Sequence, residues 1–364
     1  MWYNHLIINK TITKVIIINN LSTKREKYNY LDLIRVFAII MVIVLHCIYE
    51  YFNNPANSHK SLWFSLGFVN ELCRTGVPLF FMISGFLLLS KDIGDIKSFY
   101  KKRFLKIAIP FIAYDIFYYI YLNLSIGNAI SFSGFFRELT VQGSAYHLWF
   151  VYSILFIYLL IPFLRMVIAS CNKKLLLLFL ILATFQTTLR PFINTVFAGK
   201  IELFLTDDGF CGYLGYVLLG YILGTYNFSR RTNIIIYSLA IISFIATPLF
   251  TMKTVSNGGE YLFLGGYSLN HYIEAAGIFL FCKNHLNTKS RIISSLSSVS
   301  FSAYLIHVFF LEELKQFPLD LPPSGLIAVT ITLSLILSFA WGFAENALKT
   351  SISKRKYYIN NLEG

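Results

Sequence analysis

Apolar residues run through this chain in long blocks parted by short polar clusters, and most blocks approach the roughly 20 residues that a membrane-crossing helix needs. The first block, 30–52, reads YLDLIRVFAIIMVIVLHCIYEYF, with an unbroken apolar run from Val36 to Leu45. The second, 62–90, is interrupted by Glu71, Arg74 and Pro78. It is expected to begin as an outer-surface helix and to enter the bilayer through GVPLFFMISGFLLL at 76–89. Further spans are predicted near 104–124, 146–168, 175–189, 209–226, 234–252, 261–282, 292–311 and 325–348. The fold class expected is all-α, a polytopic bundle of about ten transmembrane helices.

Composition agrees: 56% hydrophobic, 17% aromatic and 13% charged residues with mean hydropathy +0.62 leave no room for a sizeable soluble domain. The net charge of +13 invites a nucleic-acid reading, which its distribution excludes. Roughly three-quarters of the 31 Lys and Arg residues fall on one side of the predicted spans, the positive-inside pattern of a multi-pass inner-membrane protein. Both termini are then cytoplasmic: a tail over 1–29, a membrane domain over 30–348 and a second tail over 349–364. The first tail is either genuine or the product of an early start codon. Its one apolar run, Val15 to Ile18, is too short for a span or a signal-peptide core. Cys47, Cys73, Cys171, Cys211 and Cys282 lie in or beside apolar segments without CxxC spacing, and read as packing residues, with no disulfide framework and no metal site. The Ile, Asn, Lys and Tyr bias points to an AT-rich bacterial genome.

The first span carries the clearest chemical pattern. At about 100° per residue, His46 returns to within about 20° of Arg35, roughly 16 Å along the axis, and Asp32 and Glu50 each fall about 60° from Arg35. Four ionisable groups on one stripe of an apolar helix mark a protein interior or a wet cavity. Taken singly, each has a plainer reading, such as an arginine snorkelling to headgroups or a packed histidine. The shared face favours a site. Gly212, Gly215, Gly220 and Gly224 in the sixth span read as close helix contacts.

In this order, DLIR followed by His46, then GVPLFFMISGFLL, KKRFLKIAIPF, YHLWFVYSILFIYLLIP, GYVLLGYILG and SFSAYLIH, the chain resembles the acyltransferase-3 family of integral membrane O-acyltransferases. The matching stretches cover its length. Two departures stand out: the second basic position of the third span is Lys106 where the family usually has Arg, so a bidentate contact becomes a point charge, and Val36 replaces a frequent Gly. The resemblance implies transfer of an acyl group, usually acetyl from acetyl-CoA as co-substrate and without a metal, to a hydroxyl of a cell-surface glycan or its lipid-linked precursor.

Under that reading His46 is the general base, since its ordinary pKa lies near neutrality. Glu50, one turn on, fixes its tautomer, and Asp32 holds Arg35 through an i,i+3 pair. Arg103 and Lys106, with Arg35, meet the CoA phosphates. On the acceptor side stand His147 and Trp149, although an interfacial Trp is also a belt anchor. Asp208 binds glycan or simply keeps an outer loop wet, and His271 with Glu274 forms a second polar wall. His307 is open between a site role and tyrosine–histidine packing, and Ser84 reads as packing rather than as a nucleophile. The rival classes are a transporter or flippase, for which inverted repeats and paired broken helices are lacking, and a non-catalytic polysaccharide-export subunit.

Overall fold

The structure, a computed structural model, describes residues 28–58, 60–141, 143–182, 209–256, 268–317 and 319–362. Among these, all regular secondary structure is helical. The helices are α1 (Asn29–Asn53), α2 (Ser61–Arg74), α3 (Gly76–Leu89), α4 (Ile96–Ser125), α5 (Phe132–Val141), α6 (Trp149–Ser170), α7 (Gly209–Thr225), α8 (Arg230–Ser256), α9 (Leu269–His285), α10 (Arg291–Lys315) and α11 (Pro323–Leu362). Among the described residues, seven segments are long and apolar enough to cross a membrane, α2 and α3 counting as one. α9 and the apolar part of α7 are shorter. Residues 173–182 are helical as well, and the rest of the expected fifth span lies outside the described residues. The all-α polytopic class is as expected.

α1 is the central strut, touching α2, α3, α9, α10 and α11. Ile34, Ala38, Ile39, Val42, Ile43 and Ile48 are buried against these neighbours. Its polar stripe faces α10. Trp63 on α2 donates its indole N–H to the Phe52 carbonyl at 2.8 Å, tying the end of α1 to the helix that follows.

α2 corrects the expected surface helix. Trp63, Leu66, Asn70, Glu71 and Cys73 are all buried, and the helix packs between α1 and α8. Glu71 and Arg74 interrupt the apolar block, and α9 supplies partners for Glu71 inside the protein.

α3 and α7 pack backbone to backbone. A Cβ on Gly85 would meet the Val217 backbone, and one on Gly220 the Met82 backbone. In lipid there is no apolar-burial gradient between helices, so close van der Waals contact of this kind holds them together.

Candidate active site

Two cavities lie on either side of Phe150 and Tyr304, which line both. The first, about 510 Å³, has Arg35, Arg103 and Lys106 in its lining. Asp32 accepts from Arg35 Nη1 at 3.0 Å, from Ser297 Oγ at 2.9 Å and from Ser294 Oγ at 3.0 Å. The two serines come from the first turns of α10, whose own start is capped by Ser290. With Asp32 so held, Arg35 is set at the cavity wall. Arg103 lies over the Phe99 ring with its Cζ 5.9 Å from the centroid, and Lys106 is one turn further along α4. Ser84 is in the lining. Cations and hydroxyls against aromatic walls suit an anionic ligand with an apolar tail.

The second cavity, about 460 Å³, contains His46, Glu50, Arg74, His147, Trp149 and Lys315. His46 Nδ1 is 2.8 Å from His307 Nε2, with the rings stacked at 5.0 Å and 20°. His307 Nδ1 in turn lies 2.5 Å from the Tyr304 carbonyl. This chain of contacts assigns the tautomers. A carbonyl only accepts, so neutral His307 carries its proton on Nδ1 and offers the Nε2 lone pair. His46 must then donate from Nδ1, leaving its Nε2 lone pair open. An imidazole oriented in this way is a ready proton acceptor.

The turn carrying His307 is held from outside α10. The Tyr118 hydroxyl of α4 donates to the Leu305 carbonyl at 2.9 Å and accepts from Phe309 N–H at 3.1 Å. His147 Nε2 lies 3.3 Å from the same carbonyl, and the Tyr304 hydroxyl donates to the His147 carbonyl. The His147 and His307 rings meet edge to face at 5.0 Å.

Several expected positions move. Glu50 does not orient His46: it accepts from Lys315 Nζ at 2.6 Å, and Lys315 also reaches Glu312 at 2.8 Å. The orienting partner is His307, because α10 lies beside α1 and presents a ring one helical turn short of Glu50. His271 and Glu274 line neither of these two cavities. Both are fully buried behind α2, with His271 Nε2 at 3.5 Å from Glu71. Trp149 lines the second cavity and stacks on Tyr213 at 5.4 Å. Asp208 lies outside the described residues. Reasoning from sequence passed over Ser294, Ser297, Tyr118 and Lys315. A serine-rich face in SSLSSVS, inside an otherwise apolar span, is the signal that was available for the first two.

Residues 28–344 match the family model described as an acyltransferase domain. No curated protein and no solved structure matches the chain.

Proposed function

The chain belongs to the acyltransferase-domain family that spans residues 28–344, and from this premise we propose that it moves acetyl from acetyl-CoA to a hydroxyl of a cell-surface polysaccharide or its lipid-linked precursor. One observation carries the reading: a basic cavity and a histidine cavity abut at Phe150 and Tyr304. Arg35, Arg103 and Lys106 of the first are the cations to which the CoA phosphates bind, from the cytoplasmic side of an inner membrane in a bacterium, with both termini cytoplasmic. The glycan hydroxyl enters the second cavity, where His147, Trp149 and Arg74 stand about it. A glycan acceptor is proposed because we read the stretch YHLWF at 146–150 as resembling the enterobacterial common antigen O-acetyltransferase.

The chemistry follows from the tautomers. The acceptor oxygen attacks the thioester carbonyl while His46 Nε2 takes its proton. The positive charge then on His46 is steadied by its Nδ1–H bond to His307 Nε2, at 2.8 Å. Collapse of the tetrahedral intermediate breaks the carbon–sulfur bond, and the departing thiolate recovers the proton from His46. The products are the ester and CoA thiol.

Phe150 and Tyr304 stand in the wall that both cavities share. From Arg35 to His46 the rise is about 16 Å, a gap for the extended pantetheine arm of CoA to bridge. The test is the purified chain in lipid nanodiscs with radiolabelled acetyl-CoA and a lipid-linked glycan. Acceptor-dependent CoA release with label in the glycan supports the reading. Unchanged acetyl-CoA, with glycan instead moved between leaflets, would refute it in favour of a flippase.

A further inference from the structure

α5 is a ten-residue helix, too short to span a membrane, and it lines neither of the two cavities. At about 100° per residue, Phe132, Phe135, Phe136 and Leu139 share one face, with Ser133, Arg137 and Glu138 on the other. Phe135 is turned towards the protein, its ring meeting that of Tyr119 on α4 edge to face at 5.5 Å. Phe132 and Phe136 are not. Their rings lie 4.8 Å apart, and the residues are 79% and 47% exposed. Two adjoining phenylalanines left bare on an amphipathic helix mark an interaction surface rather than a scattered apolar residue.

The tethers of α5 set its depth. The Tyr119 hydroxyl donates to the Ser131 carbonyl at 3.0 Å and accepts from Ser131 N–H at 3.3 Å. At the other end, the Tyr152 hydroxyl of α6 donates to the Leu139 carbonyl at 2.6 Å. Lys106 and Arg165 mark the basic ends of α4 and α6, and each stands thirteen residues from its tyrosine, about 20 Å along the helix. The hydrocarbon core of a bilayer is about 30 Å thick, so both tethers sit about 10 Å inside its opposite face. An amphipathic helix lying in an interface buries its apolar face about 5–10 Å deep, which is where α5 is held. Ile112, Ile116 and Ile120 of α4, within about 100° of Tyr119 around the helix, are exposed too. The bare phenylalanines therefore adjoin an apolar surface of the kind a span turns to lipid.

We propose that α5 is an interfacial helix, with Phe132 and Phe136 inserted among the lipid acyl chains of the leaflet far from Lys106 and Arg165. From α5 the chain runs through residues 143–146 to His147 at the second cavity, and Asp115 Oδ1 holds that run by accepting from Ser144 N–H at 2.6 Å. The rim of the second cavity is thereby moored to the bilayer. The proposal does not depend on the acyl-transfer reading. The experiment uses the full chain in nanodiscs of phosphatidylcholine and phosphatidylglycerol, with p-benzoylphenylalanine in place of Phe132 or Phe136, or of Ser133 or Arg137 on the opposite face. Irradiation should give lipid adducts, read by mass spectrometry, at the first two positions, with loss of adducts at the other two. No adduct at 132 and 136, equal adducts at all four, or a crosslink from 132 or 136 into a second copy of the chain overturns the proposal. Should the variants fail to fold, the wild-type chain decides the matter. Marking of Phe132 and Phe136 by a lipid-soluble diazirine supports insertion, whereas marking by a water-soluble diazirine alone, or by neither, overturns it.

Discussion

Replacing His307 by Gln separates a packing histidine from one that orients the base. In the native chain His46 Nδ1 has a single observed partner, His307 Nε2 at 2.8 Å, and that bond strengthens as His46 gains a proton in the reaction. Hydrogen bonds to charged groups contribute about 1.5–3 kcal/mol. At about 1.36 kcal/mol per decade, their loss from the transition state lowers kcat roughly 10- to 150-fold. The acyl-CoA KM should stay near the wild-type value, because His307 lies in neither the basic cavity lining nor its cation set. The assay is acceptor-dependent CoA release from nanodiscs, with monodispersity as the folding control. A double variant sharpens it. If His307 acts through His46, then adding His307→Gln to His46→Ala costs nothing further. Independent multiplicative losses, or a raised KM with unchanged kcat, would refute the tautomer chain.

His46→Ala itself should lower turnover by roughly 10²–10⁴-fold, the usual range for a lost general base, with membrane insertion intact; near-normal transfer would send the search to His147. Glu50→Gln should cost less than about fivefold, since Glu50 is largely exposed and the ion pair it gives up with Lys315 is of the weak surface kind; a loss as large as that of His46→Ala would place Glu50 on the base after all. Arg103→Ala should raise the acyl-CoA KM while leaving kcat nearly unchanged, because a phosphate contact binds ground and transition states alike; the reverse pattern would remove Arg103 from the phosphate site. Cysteine-accessibility labelling at Lys354 should report a cytoplasmic C-terminus, and labelling from outside the cell would reverse the topology.

By itself, the sequence determined the elements and the one-dimensional order of the chemistry. Apolar block length dictates membrane helices, because an unpaired backbone cannot cross lipid. Helical period alone puts Asp32, Arg35 and His46 on one stripe, and local geometry also pairs Asp32 with Arg35. Gly220 in GYVLLGYILG was legible as a close contact for the same reason: a missing Cβ is a local fact.

Which helix faces which is not local, and there the tertiary structure decided. Nothing in 30–52 states that α10 lies alongside, so the partner of His46 was sought one turn away at Glu50 rather than some 260 residues on at His307. Nor does the sequence of 61–75 reveal that α9 and α8 cover it, which turned an apparent surface helix into the seat of a buried carboxylate pair. His271 and Glu274 carry a visible polar signal in an apolar span, but a signal of polarity does not say which neighbour satisfies it. Burial, partner and cavity are properties of packing between segments distant in the chain, and a period read within one helix contains no term for them.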